Sequence, residues 1–339
     1  MSEPSEFLVQ WSLSHGNLRR FFEDRALPPL DDNAQRAAGE AAAAAAIEQT
    51  FGIGIQDFSV GVDSVSGAFE AAGRPLLTQP DPDVPVDRGA AAFFDVDNTL
   101  IQGSSLIVLA EELAKRRFIT LRELAPALMK QLKYRLSGSE NPEDIAAGRE
   151  QALEIVKGKS VAELKELCWD IVDRHMLTKA YQSTIDLAAM HIAAGQQVWL
   201  VSATPVQIGQ ALAERLGFTG ALGTVAEEAD GQFTGRLVGD ILHGPGKQHA
   251  VAALAAIQQL DLDRCTAYSD SINDLPMLEM VGSPVAINPD RRLRRYAKQQ
   301  GWAIRDYRSV RRLARSYLAP VAGTAALGAG AWAFARRSR

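Results

Sequence analysis

The chain has few cysteines, no strong excess of one charge and no apolar run at its start. Its only 2 cysteines, Cys168 and Cys265, lie far apart, which fits a reducing cytoplasm and argues against a disulfide framework. The formal net charge of -5, without a basic stripe interleaved with aromatics, excludes a general nucleic-acid-binding surface. The segment 1–6 lacks a basic start followed by an apolar core, so no signal peptide is expected.

The composition is that of a globular protein. Hydrophobic residues make up 47% of the chain and charged residues 23%, enough apolar material for a sizeable core. A length of 339 residues allows two domains, or one domain with a large insert.

The most informative segment is Asp95-Val96-Asp97-Asn98-Thr99, which directly follows the apolar run 90–94. Such a run is typical of a buried strand in a parallel sheet, and ligands of open α/β sheets bind beyond the carboxyl ends of the strands. Asp95 is therefore a candidate nucleophile and Asp97 its acid/base partner, with a bound cation offsetting their repulsion. An ordinary strand followed by an Asx-type turn is the alternative for this pentapeptide alone.

A second apolar strand, 198–201, ends in Ser202-Ala203-Thr204 before the helix-like segment 205–216. A hydroxyl and free backbone N–H groups at a helix start suit the binding of phosphate oxygens. Ser and Thr are also ordinary N-cap residues, so this segment by itself leaves both interpretations open.

Two further segments place charged residues at the ends of predicted elements: a lysine at the start of a helix, and two aspartates after a strand. Lys247 follows Gly-Pro-Gly and opens a helix-like run to Leu260, where its ammonium could neutralise a phosphate or simply face solvent. The segment 266–274 places Asp270 and Asp274 after a strand, on one face of the following turn.

In this order, the four segments resemble the haloacid dehalogenase superfamily of aspartate-nucleophile phosphohydrolases. The segments 267–278 and 284–290 look like its subfamily IB, the phosphoserine-phosphatase-like branch. The resemblance spans about residues 89 to 307, and it implies a three-layer, Rossmann-like parallel sheet with a helical cap inserted between the first and second motifs.

The resemblance also implies roles for individual residues. Asp95 would be the nucleophile and Asp97 the general acid/base. The phosphate-binding groups would be Ser202, the Ala203 amide and Lys247; the Mg²⁺ ligands would be Asp95, the Asp97 carbonyl and Asp270; supporting residues would be Thr99, Asn273 and Asp274. Mg²⁺ prefers such oxygen ligands.

Three competing interpretations of these residues fail. A haloacid dehalogenase would use Asp95 but has no need of the acid at Asp97. Response-regulator receivers are short, whereas a long insert precedes Ser202 here. A nucleotide P-loop needs Ser or Thr at the position of Gln248.

The predicted organisation has four parts. Residues 1–88 form a partly disordered N-terminal extension with short helices, among them the alanine-rich 37–47, which offers little side chain to pack. Residues 89–103 and 196–310 form the catalytic core, and the two β-like runs of 219–239 are expected to form a hairpin around Asp230-Gly231.

Residues 104–195 form the helical cap, in which Leu106, Leu109, Ala110 and Leu113 are expected to share one buried face. Residues 311–339 form a basic and apolar tail. Its uncharged run 317–335 is about as long as a membrane span, although its glycines and Pro320 weaken that interpretation.

The expected activity is Mg²⁺-dependent phosphomonoester hydrolysis on a small phosphorylated metabolite or a lipid phosphate. In phosphoserine phosphatases a glutamate follows the second motif acid by seven positions, but Ser104 stands there, so phosphoserine is not the expected substrate. Alternatives are phosphotransfer through the same intermediate and a catalytically idle, membrane-tethered binding module. A cytoplasmic location is expected, with the tail as a possible attachment to the inner membrane face.

Overall fold

The computed structural model describes residues 31–52, 81–119, 153 and 156–307. Its helices are α1 (Asp32–Phe51), α2 (Ser105–Lys115), α3 (Val161–Ile171), α4 (Gln182–Ala193), α5 (Val206–Leu216), α6 (Pro245–Gln258), α7 (Leu275–Glu279) and α8 (Arg291–Gln300). Its strands are β1 (Ala91–Asp95), β2 (Gln197–Pro205), β3 (Gly220–Thr224), β4 (Ala226–Ala229), β5 (Gln232–Leu237), β6 (Thr266–Ser269), β7 (Ser283–Ile287) and β8 (Ala303–Arg305).

Six of the strands form one parallel sheet in the order β3-β2-β1-β6-β7-β8. Strand β1 lies near the centre, and every one of its residues is buried. Because side chains alternate along a strand, Phe93 packs into the apolar core on one face of the sheet and Phe94 into the core on the other. The predicted fold class, an α/β protein with a Rossmann-like parallel sheet, is confirmed.

Helix α1 packs on the side of the sheet that carries α6. Asp31 caps its first turn by accepting a hydrogen bond from Asn33 N at 3.1 Å, and Gly52 ends it in the left-handed conformation, with φ of 69°. The expectation that its alanines offer little to pack is wrong, since Ala42 and Ala43 are fully buried. Small side chains allow the backbones of two helices to approach closely, which compensates for the small side-chain area.

Helix α2 buries a different face from the one predicted. Leu109 and Leu113 are buried as expected, but Leu106 is 46% exposed and Ala110 is also exposed, whereas Val108 is buried. The reason lies at the start of the helix, where hydrogen bonds between Ser105 and Asp97 fix the rotation of the helix about its axis.

The segment 219–239 is only partly the predicted hairpin. Strand β3 joins the large sheet beside β2, while β4 and β5 form the expected antiparallel pair around Asp230 and Gly231, with φ of 52° and 75°. The turn also accepts a hydrogen bond from Val161 N, at 3.0 Å from Gly231 O, so the hairpin contacts the start of helix α3.

Several predictions lie outside the described residues. These are the parts of the extension at 1–30 and 53–80, most of the cap segment 120–155, and the tail including 317–335. Within the described ranges, no helix combines the length and the apolar character needed to cross a bilayer.

Candidate active site

Three of the four predicted motifs follow neighbouring strands, and the structure brings those strands' carboxyl ends side by side. Asp95 is the last residue of β1 and lies opposite Val201 of β2, so Ser202 is the next residue along β2. On the other side, Phe94 lies opposite Tyr268 of β6, and Asp270 follows that strand directly. The edge at which ligands of open parallel sheets bind therefore carries these acids and the hydroxyl.

The fourth motif reaches this edge through a helix start. Lys247 lies in the first turn of α6, and its Nζ donates hydrogen bonds to Asp95 Oδ1 at 2.6 Å and to Asp274 Oδ2 at 2.8 Å. All three side chains are at most 8% exposed. Asp274 Oδ2 also accepts a hydrogen bond from Ser269 Oγ at 2.7 Å, so the lysine is held between two fixed carboxylates.

Burial shapes the charge of this ion-pair network. The pKa of Asp95 is raised to about 7 when all influences are combined. Desolvation by burial is the largest cause of the rise, Asp274 and Asp97 add to it, and Lys247 opposes it. Burial by itself would lower the pKa of Lys247, but the carboxylates of Asp274 and Asp95 raise it above its ordinary value. The site therefore holds a fixed ammonium whose charge does not fully offset the carboxylates around it.

The side chain of Asp97 contacts the first residue of α2. Its Oδ1 accepts hydrogen bonds from Ser105 N at 2.9 Å and from Ser105 Oγ at 2.5 Å. Burial raises the pKa of Asp97, and the hydrogen bonds from Ser105 oppose that rise. A raised pKa favours the protonated form of the carboxyl group, which is the form that a general acid requires.

Ser202 is buried, and its hydroxyl contacts its own strand rather than the ion-pair network. Its Oγ lies 2.8 Å from Thr204 Oγ1 and accepts a hydrogen bond from Thr204 N at 3.2 Å. The next residue, Ala203, uses its carbonyl to accept a hydrogen bond from Thr224 Oγ1 at 2.7 Å. Strand β2 extends through these residues to Pro205, and α5 starts after them at Val206.

The turn after β6 is fixed by Asp290, a residue to which the sequence interpretation assigned no role. Asp290 N donates to Asp270 O at 2.8 Å, and Asp290 Oδ2 accepts from Ile272 N at 2.8 Å. Its other oxygen caps α8 by accepting from Arg292 N and Leu293 N, both at 2.7 Å. An Asp directly before a basic helix is a readable N-cap signal, but its second role depends on the tertiary structure.

The loop after β1 is held by polar contacts across the sheet edge. Asn98 is in the left-handed conformation, with φ of 58°, and its carbonyl accepts from Asn288 Nδ2 at 2.9 Å. Thr99 is fully buried; its carbonyl accepts from Thr184 Oγ1 at 2.8 Å, while its hydroxyl has no hydrogen-bond partner among the described residues. Of the predicted supporting residues, Asp274 contacts Lys247, and Asn273 lies in the turn between Asp270 and Asp274.

Comparisons with known proteins agree with this arrangement. The haloacid dehalogenase-like hydrolase family model matches residues 92–279. The chain is 56% identical over 231 residues to phosphoserine phosphatase SerB1 of Mycobacterium tuberculosis, covering 68% of this chain and 75% of that protein. It is 29% identical over 221 residues to a histidinol-phosphatase of Neisseria meningitidis, covering 64% of this chain and 98% of that protein.

A solved structure shares the fold. The crystal structure of a Bordetella pertussis protein of unknown function superposes with a TM-score of 0.56 at 28% identity, covering 65% of this chain and 99% of that one. The family model covers more than half of the chain and includes the strand ends described above. The chain belongs to the haloacid dehalogenase-like hydrolase family and is one of its phosphatases, an enzyme that hydrolyses phosphoric monoesters.

Proposed function

We propose that this phosphatase works through an aspartyl-phosphate intermediate on Asp95, with Asp97 as general acid and base. One observation carries the proposal: Lys247 binds only Oδ1 of Asp95, and the described part of the chain offers no hydrogen bond to Oδ2. An oriented carboxylate with one oxygen unoccupied, at a sheet edge beside a fixed ammonium, is a suitable nucleophile for phosphorus.

The proposed reaction has two steps. In the first, an oxygen of Asp95 forms a bond to phosphorus and the bond from phosphorus to the ester oxygen breaks, while Asp97 gives its proton to the departing alkoxide. In the second, Asp97 takes a proton from water as the water oxygen attacks phosphorus. The bond from phosphorus to the Asp95 oxygen then breaks, which releases inorganic phosphate and regenerates both carboxyl groups.

The transferring phosphoryl group carries negative charge on its non-bridging oxygens, so positive charge and N–H donors should stabilise it. Lys247 supplies a charge that is already fixed between Asp95 and Asp274. We assign the Ser202 hydroxyl and the Ala203 amide as the other phosphate donors. The hydroxyl of Ser202 can serve after a rotation away from Thr204.

The chemistry of the site fits Mg²⁺. The buried carboxylates of Asp95 and Asp274 share a single ammonium, Asp270 is buried directly after β6, and carboxylate oxygens are the ligands that Mg²⁺ prefers. We assign Asp95, the Asp97 carbonyl and Asp270 as the ligands. Among the described residues, no group of three His, Cys, Asp or Glu side chains is placed to hold a metal ion, so waters would have to complete the coordination of the assigned ligands. Bound Mg²⁺ would neutralise charge on the phosphate and the nucleophile.

The proposed substrates are small phosphorylated metabolites, with lipid phosphates as the second class. A relative is named a phosphoserine phosphatase, but Ser104 offers no carboxylate for a substrate ammonium at the start of α2. Glu112, a buried acid of the same helix, is already paired with Lys115 and His175. Along α2 both acids are already paired, which favours substrates that lack an ammonium group near the phosphate.

The test combines a substrate panel with trapping of the intermediate. Phosphate release with Mg²⁺ should be measured on phosphoserine, histidinol phosphate, and sugar, glycerol and lysolipid phosphates. Rapid acid quenching with a ³²P-labelled substrate should leave label on the protein, and the label should be absent in Asp95→Asn. The matched control is Asp83→Asn, on an exposed loop, which should label like the wild type.

Each outcome has a defined meaning. Label on wild type that Asp95→Asn abolishes supports the covalent route, whereas full turnover by Asp95→Asn defeats it. Stoichiometric labelling with release to an added alcohol faster than to water would instead indicate a phosphotransferase. Absence of phosphate release from every substrate of the panel would favour the catalytically idle module.

A further inference from the structure

We propose that helix α1 is a positioning element of the active site: through Gln35 and Gly39 it fixes the lysine loop, residues 239–247, so that Lys247 reaches Asp95 and Asp274. The inference rests on the proposed role of Lys247 as a phosphate-binding group. Helix α1 lies outside residues 92–279, to which the family model matches, so the proposal assigns a function to a part of the chain beyond that region.

Gln35 connects both ends of the lysine loop. Its side chain is 1% exposed, and its Nε2 donates to Asp240 Oδ2 at 3.3 Å, near the start of the loop. Its Oε1 lies against Gly246, directly before Lys247, so closely that a Cβ atom at that glycine would overlap it. A single side chain of α1 therefore contacts the beginning of the loop and the residue next to the lysine.

Close approaches between backbones add to this contact. A Cβ atom on Gly39 would lie 2.6 Å from Ala250 N and 2.6 Å from His249 Cβ, so α1 and the first two turns of α6 meet without intervening side chains. A Cβ atom on Gly239 would overlap Ala38 N, and Gly239 has a φ of 79°, which only glycine adopts readily. These positions leave no room for the loop to shift toward α1.

The contacts from α1 add to a helix start that no side chain caps; the loop is otherwise held by hydrogen bonds such as those from Leu242 N to Thr224 Oγ1 at 3.0 Å and from Lys247 N to Gly244 O at 3.1 Å. Gly244, the N-cap residue of α6, has no side chain, and no side chain forms a cap hydrogen bond there. The two hydrogen bonds of Lys247 require its Nζ to lie within 2.8 Å of two carboxylates, one at the end of β1 and the other in the turn after β6, a geometry that a small displacement of the helix start would break. Misplacing a catalytic group by about 1 Å can cost about a hundredfold in rate.

The first experiment compares buried and exposed positions of α1 in the full chain. Gln35→Ala and Gly39→Ala should each lower kcat/KM by about tenfold to a hundredfold and raise the inhibition constant of inorganic phosphate, the probe of the lysine site. Gln35→Met, which keeps the volume but not the amide, separates packing from hydrogen bonding. Arg36→Ala and Glu40→Ala, on the exposed face of the same helix, should behave like the wild type.

A thermodynamic cycle then tests whether α1 acts through the lysine. In a Lys247→Arg background, Gln35→Ala should change kcat/KM by less than about twofold, since coupled residues do not contribute independently. If the losses in kcat/KM from Gln35→Ala and Lys247→Arg multiply in the double variant, the two residues act independently and the proposal is wrong. Amide hydrogen exchange of residues 239–247 provides a readout that needs no activity, and we expect it to be faster in Gln35→Ala than in the wild type. The melting temperature of the variant is the control: if it stays above the assay temperature, general unfolding does not explain the faster exchange.

The outcomes separate this inference from the proposed function. If Lys247→Met keeps full activity, the proposed phosphate-binding role of the lysine is wrong. If Lys247→Met is inactive while Gln35→Ala and Gly39→Ala keep wild-type kinetics and exchange, only the positioning role of α1 is wrong.

Discussion

The Nζ of Lys247 lies 2.6 Å from Oδ1 of Asp95, although 152 positions of sequence separate the two residues. The contact is made where a helix start meets the end of the central strand, and both side chains are buried. In a buried environment, an ion pair contributes little net stability compared with apolar packing, yet removal of one partner is costly. This pair is therefore explained better by chemistry than by folding, and the first two predictions follow from it.

Replacement of the lysine should affect both activity and stability. Lys247→Met removes the only ammonium that contacts Asp95 and Asp274 in the described structure. We expect kcat/KM to fall by about a hundredfold to a thousandfold, because a preorganised charge on the phosphoryl group is lost. The free energy of unfolding, from urea titration, should fall by about 3 kcal/mol. The control Lys298→Met, exposed on α8, should leave both unchanged; wild-type activity in Lys247→Met would contradict the prediction.

Replacement of the nucleophile should remove a pH dependence from the stability of the metal-free protein. The pKa of Asp95 is about 7 in the folded protein and 3.8 ordinarily, so the folded state holds a proton that the unfolded state releases between these values. The stability of wild type therefore falls as pH rises toward 7, and Asp95→Asn does not share this loss.

Melting curves in EDTA from about pH 4 to about pH 8 provide the measurement, because this range covers the interval between the two pKa values and the plateau above it. The difference in melting temperature, Asp95→Asn minus wild type, should grow with pH and level off above the pKa of Asp95. A difference that shrinks over the same range would show that burial does not raise this pKa.

Removal of the cap residue Asp290 should loosen the turn that carries Asp270. Asp290→Ala removes hydrogen bonds from Ile272 N, Arg292 N and Leu293 N. We expect about 1–2 kcal/mol lower stability from the lost helix cap. Mg²⁺ titrations of activity should also show weaker Mg²⁺ activation. The control Asp261→Ala removes a comparable cap, at Asp263 N, before β6 and should cost stability without changing the Mg²⁺ dependence.

Chelation should abolish activity reversibly. EDTA treatment is expected to stop phosphate release, and Mg²⁺ should restore it, whereas Ca²⁺, which takes more ligands at longer distances, should not. At a concentration of about 100 times its Kd, Mg²⁺ should add about 2.7 kcal/mol of stability by mass action. Asp270→Asn should lose most of this stabilisation. Full activity after exhaustive chelation would remove Mg²⁺ from the proposal.

The sequence alone was sufficient for strands β1 and β2, the order of the motifs and the family. Strands β1 and β2 were readable because a strand buried on both faces is a nearly continuous apolar run, as at 91–94 and 198–201. The acids at 95, 97, 270 and 274 were readable because they follow such runs closely, whereas the lysine at 247 was readable only through the order of the four motifs, which resembles the family. These are local properties, which the order of residues along the chain determines.

The tertiary structure decided what each local pattern contacts. Leu106 belongs to the expected apolar face of α2 but is exposed, because Ser105 binds Asp97 and sets the rotation of the helix. The alanines of α1 looked poor in packing surface, yet Gly39 and its small neighbours let the helix approach α6 closely, and Gln35 reaches the loop of Lys247. Such contacts join residues far apart in sequence, and their energies depend on distances that only the folded chain defines.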